Sequence, residues 1–101
     1  MMVYHVTPSA NLDSIDSQGI DPNWAESDYK RSWFVTASRL KWAVHHVCKR
    51  HDVLPCEVAV LMVQVPRELL TRYARGVYSC RVLVPVHSVA FSFVPELCGT
   101  C

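Results

Sequence analysis

The sequence lacks a long apolar run, a block of charge of overwhelming sign, an internal repeat and a low-complexity stretch. No hydrophobic segment approaches the roughly 20 residues of a membrane-spanning helix, so no membrane partner is expected. Met1-Met2-Val3 leads straight into a strand-like stretch, without the basic and apolar leader of a signal peptide. The formal charge of +1 gives no electrostatic reason to expect a nucleic acid or a membrane surface. The five cysteines are odd in number and irregularly spaced. A reducing cytoplasm explains them better than a disulfide framework, so no structural disulfide is expected.

What is present is the composition of a globular domain: 101 residues, half of them hydrophobic and 19% charged. That is enough chain for one core and too little for two. Residues 1–95 read as one domain and 96–101 as a loose tail.

Tyr4-His5-Val6-Thr7 reads as a short strand carrying a histidine. Thr7 suits an N-cap, Pro8 the first position of a helix, and Gly19 its left-handed end. Leu12 and Ile15 fall on one face of that helix. Residues 21–31 are polar and turn-rich, hence a loop, and its Trp24 and Tyr29 either line a ligand or fold back onto the core. Trp33-Phe34-Val35-Thr36 is a strand. Ser38 then caps a helix whose Leu40, Ala43, Val44 and Val47 recur at helical spacing, with Lys41, His45, Lys49 and Arg50 largely off that stripe. The helix fades at His51-Asp52, and Pro55 bars its continuation.

Glu57 to Val65 is nearly continuously apolar, the mark of a central strand covered on both faces. Pro66 to Leu70 suggests a short helical turn. Gly76-Val77-Tyr78, Arg81 to Val84 and Ser88 to Phe93 suggest further strands, with Pro85 at a break. The fold class is therefore α+β: two early helices and a mainly antiparallel sheet of five or six strands.

The order Tyr-His-x-Thr, helix, Gly-Ile, polar loop, aromatic-Val-Thr resembles the ADP-ribosyltransferase-like superfamily. Small members, such as rifampin ADP-ribosyltransferase and the RNA 2'-phosphotransferases, open with Tyr-His-Gly-Thr; Val6 stands here in place of that glycine. The resemblance runs in order from about Val3 to Phe93. It implies a sheet split into two halves, with nicotinamide adenine dinucleotide (NAD) in the cleft between them. By that resemblance His5 bonds a ribose, backbone groups beside it at Val6 hold the nicotinamide amide, and Thr7 supports the adenosine ribose. Phe34-Val35-Thr36 matches the second motif, in which Phe34 stacks on the nicotinamide ring; Phe34 reads equally well as a core aromatic.

Such transferases also use a carboxylate near a late strand to stabilise oxocarbenium-like charge on the ribose. The resemblance puts Cys80 at that position with Arg81 beside it, and neither can do that job. Glu57 and Glu68 are the nearest carboxylates in sequence, and Glu68 is the candidate supplier from another segment. The expectation is therefore NAD binding with nicotinamide release near background, and some gain of hydrolysis in Cys80→Glu.

Arg75-Gly76-Val77-Tyr78 followed by Val84-Pro85-Val86 is also similar to the RNA 2'-phosphotransferases. In that reading Tyr78 belongs to the ligand site, and Arg81 or Arg39 grips a phosphate. A rival constellation is zinc held by Cys48, His51, Cys98 and Cys101, in a neighbourhood that also holds His45, His46 and Cys56. The three functional readings are an NAD-dependent transferase acting on a protein, nucleic-acid or small-molecule acceptor, a non-catalytic NAD or ADP-ribose module, and an RNA 2'-phosphotransferase-like enzyme.

Overall fold

The computed structural model describes residues 1–22, 31–85 and 88–92. Trp24, Tyr29, Phe93, Cys98 and Cys101 lie outside them. The element order is β1 (Met2–Pro8), α1 (Leu12–Gln18), β2 (Ser32–Val35), α2 (Leu40–His51), β3 (Val58–Gln64), β4 (Leu70–Ala74), β5 (Val77–Cys80) and β6 (Val89–Ser92). Short 3-10 turns precede α1, α2, β3 and β4. Among the described residues no helix is long and apolar enough to cross a membrane.

The strands form one antiparallel sheet in the order β4-β5-β2-β1-β3-β6. β3 lies inside the sheet because its residues are apolar on both sides, and Val58, Val60, Leu61 and Val63 are essentially inaccessible. Alternation along each strand divides the core into two. On one face Val3, Phe34, Leu61, Val63 and Cys80 pack with Ile15 of α1 and with Ile20 and Val84. On the other, Val35, Val58, Val60 and Val77 pack with Leu40, Ala43 and Val44 of α2. Each fully buried Val, Leu or Phe side chain contributes about 1.5–3 kcal/mol, so the two helices are held chiefly by these stripes.

Several local expectations are corrected. Thr7 is not an N-cap: β1 runs through Pro8, and the Thr7 hydroxyl instead accepts from Asn11 Nδ2 at 2.9 Å. Proline's fixed φ suits an extended strand end as well as a first helical turn, and Pro8 is extended at φ −57°, ψ 140°. Ser38 does not cap α2; its hydroxyl lies 3.0 Å from Thr36 Oγ1. Arg81 to Val84 is no strand, since only Val84 bridges, to Ile20, while Val82 and Leu83 are exposed. β4, which the sequence did not announce, forms one edge of the sheet and β6 the other. Cys56 is disulfide-bonded, against the expectation of none, whereas Cys48 and Cys80 are free thiols.

Gly19 closes α1. Its N–H bonds Ile15 O at 2.8 Å, and its φ of +79° turns the chain so that Ile20 and Val84 exchange backbone bonds at 2.8 and 3.0 Å. Asp52, at φ 52° and ψ 50°, ends α2 in the left-handed conformation that aspartate tolerates better than most residues.

Candidate functional site

β1 pairs with β3 at seven positions but with β2 at one, Tyr4↔Val35. β2 is therefore tied to β1 by a single residue pair within the continuous sheet. Continuing that register would set His5 opposite Phe34 and Val6 opposite Trp33. The ladder does not continue. The His5 side chain reaches β2 instead, with Nδ1 2.8 Å from the carbonyl oxygen of Trp33.

This contact fixes the chemistry of the ring. A carbonyl only accepts, so Nδ1 carries the proton. Burial lowers the His5 pKa below its ordinary 6.5, with the bond to Trp33 opposing that shift. The imidazole is thus neutral at pH 7, and Nε2 is a bare acceptor suited to a hydroxyl donor such as a ribose. The His5 and Phe34 rings lie 5.4 Å apart at 50°, on the same face of the sheet. Thr7, two residues along β1, shares that face; its bond from Asn11 uses the oxygen as acceptor and leaves the hydroxyl proton to donate.

Across β2 the register pairs Phe34 with Tyr78 and Ser32 with Cys80, so Tyr78 and Cys80 also belong to the His5 face. Their exposures assign different roles. Phe34 is fully buried and has no free ring face on which a base could stack. It supports the His5 ring from below. Tyr78, half-buried beside it, is the aromatic with accessible surface. Cys80 is 1% exposed, and its thiol contacts Val82 O at 3.4 Å. Arg81 is exposed immediately beyond. Glu68 is exposed on the turn before β4, two residues ahead of Leu70, which pairs with Cys80. Fold topology thus brings the two candidate positions for an acid to one end of the β4–β5 hairpin.

Other candidates stand apart. Val6 turns its side chain into the α2 core, leaving only its backbone at the seam. Thr36 lies at the closed end, where its N–H bonds Gly76 O at 2.9 Å and its hydroxyl meets Ser38. Arg39 Nε donates to Arg75 O at 3.0 Å at the same turn, away from His5. Glu57 is exposed at the start of β3, and its carboxylate accepts from Leu54 N–H at 2.9 Å. Among the described residues no three His, Cys, Asp or Glu side chains are grouped to hold a metal. The zinc constellation needs Cys98 and Cys101, which lie outside them. Burial, then Glu57, pushes the half-buried Cys48 thiol up.

No family model, no curated protein and no solved structure matches this chain. The residue that sequence reasoning missed is Trp33. Its carbonyl orients His5, while its ring lies on the opposite face; strand alternation alone separates it from Phe34.

The histidine also sets a pH dependence. Its folded pKa is depressed, so the unfolded chain binds the extra proton first as pH falls below about 6.5. Stability is expected to be fully present above that pH and to decline on acidification toward the folded pKa. Urea unfolding from pH 7.5 downward measures it, against His5→Gln, whose midpoint should fall less over the same range. Identical pH slopes for the two proteins would refute the assignment.

Proposed function

We propose that the chain is an ADP-ribosyltransferase-like domain that binds NAD or a related ADP-ribosyl compound at the β1–β2 seam. The observation that supports this reading is the single-pair junction of β1 and β2, beside which a neutral His5 keeps Nε2 as a bare acceptor. A ribose hydroxyl donates to that nitrogen, backbone groups of the unpaired strand edge near Val6 meet the nicotinamide amide, and Tyr78 supplies the ring surface. Thr7 donates from the same face. The role first given to Phe34 passes to Tyr78, and Phe34 becomes the floor beneath His5.

Transfer to an acceptor needs a carboxylate. The buried Cys80 thiol cannot serve, and Glu68, on the turn two residues before the Cys80 partner Leu70, is the candidate acid. The acceptor is a protein, nucleic acid or small molecule. The 2'-phosphotransferase reading is less well supported, because Arg39 is committed to the Gly76 turn and Arg81 lies beyond the sheet.

Thermal shift with NAD and ADP-ribose tests the binding step. At about 100 times its dissociation constant a ligand adds roughly 2.7 kcal/mol to stability. The expected result is a clear upward shift for the natural sequence, absent in His5→Ala. Equal shifts in both proteins, or none with either ligand at millimolar concentration, would overturn the proposal.

A further inference from the structure

The formal charge of +1 conceals a contrast between the two helices, although Asp52 and Glu57 follow α2 and Arg72 shares the Tyr78 face. The described residues 1–22 contain Asp13, Asp16 and Asp21 and no lysine or arginine. Residues 31–51 contain Arg31, Arg39, Lys41, Lys49 and Arg50 and no acid. α1 packs on one face of the sheet and α2 on the other, so the acidic and basic helices occupy opposite sides.

The α2 side also carries exposed rings at two places. Leu40, Ala43 and Val44 are buried against the sheet. Helical geometry then turns Trp42, His45, His46 and Lys49 outward together, with Lys41 at their flank. Trp42 is 48% exposed and stacks on His46 at 5.2 Å and 15°. Two residues before the buried Val35, Trp33 projects on this same side. It meets Tyr73 edge-on at 5.1 Å, and the two are 37% and 70% exposed.

We infer that this side of the molecule is a docking surface for single-stranded nucleic acid, separate from the His5 seam on the other face. Lysines spaced along an acid-free helix neutralise phosphates, and accessible ring faces between them stack bases without regard to sequence. The aliphatic residues Leu40, Ala43, Val44 and Val47 of α2 pack into the core, which leaves Trp42 as the single apolar side chain on its outward face, too little for a helix to lie in a bilayer. Charge and rings together therefore favour a nucleic acid over an anionic membrane.

Fluorescence polarisation with a dye-labelled single-stranded oligonucleotide of about 12 nucleotides tests the inference. The natural sequence is expected to bind, with affinity falling about 20-fold between about 50 and 200 mM salt if three phosphates are neutralised. Trp42→Ala should weaken binding at least about fivefold. The double change Lys41→Gln, Lys49→Gln should flatten the salt dependence. Both alter exposed positions, and unchanged melting midpoints would verify their folds. Absence of binding at low salt overturns the inference, as does binding indifferent to Trp42→Ala. So does tighter association with phosphatidylserine-containing vesicles than with the oligonucleotide.

Discussion

Gly19→Ala is expected to cost about 2–4 kcal/mol of folding stability, the largest loss for so small a change. Gly19 sits at φ +79° and ψ −168°, a region essentially reserved for glycine. Conformation is only part of the cost. A Cβ there would run into the carbonyl oxygen of Val84, which also accepts the Ile20 N–H at 2.8 Å. The obstacle is backbone and cannot swing aside. Relief requires breaking the Ile20–Val84 bridge, which holds two buried residues of the α1-side core. For a domain of this size each kcal/mol moves the melting midpoint by roughly 4–8 °C, so a fall of roughly 10–25 °C should appear. Gly76→Ala is the comparison. Its φ is also positive, +74°, but the added Cβ meets side-chain atoms, Thr36 Oγ1 at 2.7 Å and Arg39 Cγ at 2.8 Å. Those can rotate, so its loss should be smaller. Near-parental melting of Gly19→Ala would show that the bridge does not hold α1.

The parts of this architecture legible in the sequence are those whose burial follows a period. β3 declares itself by being apolar on both faces, and α2 by its stripe of Leu40, Ala43, Val44 and Val47. The nearness of the His5 and Phe34 rings follows the motif order on which the resemblance rests, although the two residues are not ladder partners. β4 was not: Thr71, Arg72, Tyr73 and Ala74 are all exposed, so no buried face writes an alternation into the sequence. Conversely Val82 and Leu83 look like strand residues and are exposed, because apolar composition does not itself create a pairing partner. The cap at Thr7 failed because Pro8 fits two conformations equally. Net charge is silent for a different reason: it sums over the chain and does not report that the aspartates of α1 and the lysines of α2 stand on opposite sides of the sheet. The burial of Phe34 and Cys80 depends on what α1 and the Ile20–Val84 bridge bring over them, which no local pattern encodes.

That burial reverses the expectation for position 80. Placing a glutamate there is expected to destabilise the protein, not to activate it. Cys80 is 1% exposed and belongs to the core formed by Val3, Phe34, Leu61 and Val84. A carboxylate in such surroundings must either stay protonated or lose its hydration, and the longer side chain must also displace its neighbours. Overpacking alone typically costs about 1–3 kcal/mol, and the buried polar group adds a comparable amount. Cys80→Glu should therefore lose on the order of 3–5 kcal/mol of stability and gain no hydrolysis. Cys80→Ser, close in volume, should melt nearer the natural protein. Nicotinamide release by the natural sequence is expected near background, since removing one stabiliser of developing charge costs on the order of 10²–10³ in rate. Urea unfolding of the three proteins, with nicotinamide release measured on each, checks both statements. A well-folded Cys80→Glu with raised release would place position 80 in the reaction after all. Robust release by the natural sequence that vanished in Glu68→Ala, with its melting midpoint unchanged, would instead assign the acid to the exposed turn before β4. The buried position would then serve only to pack the strand that carries Tyr78.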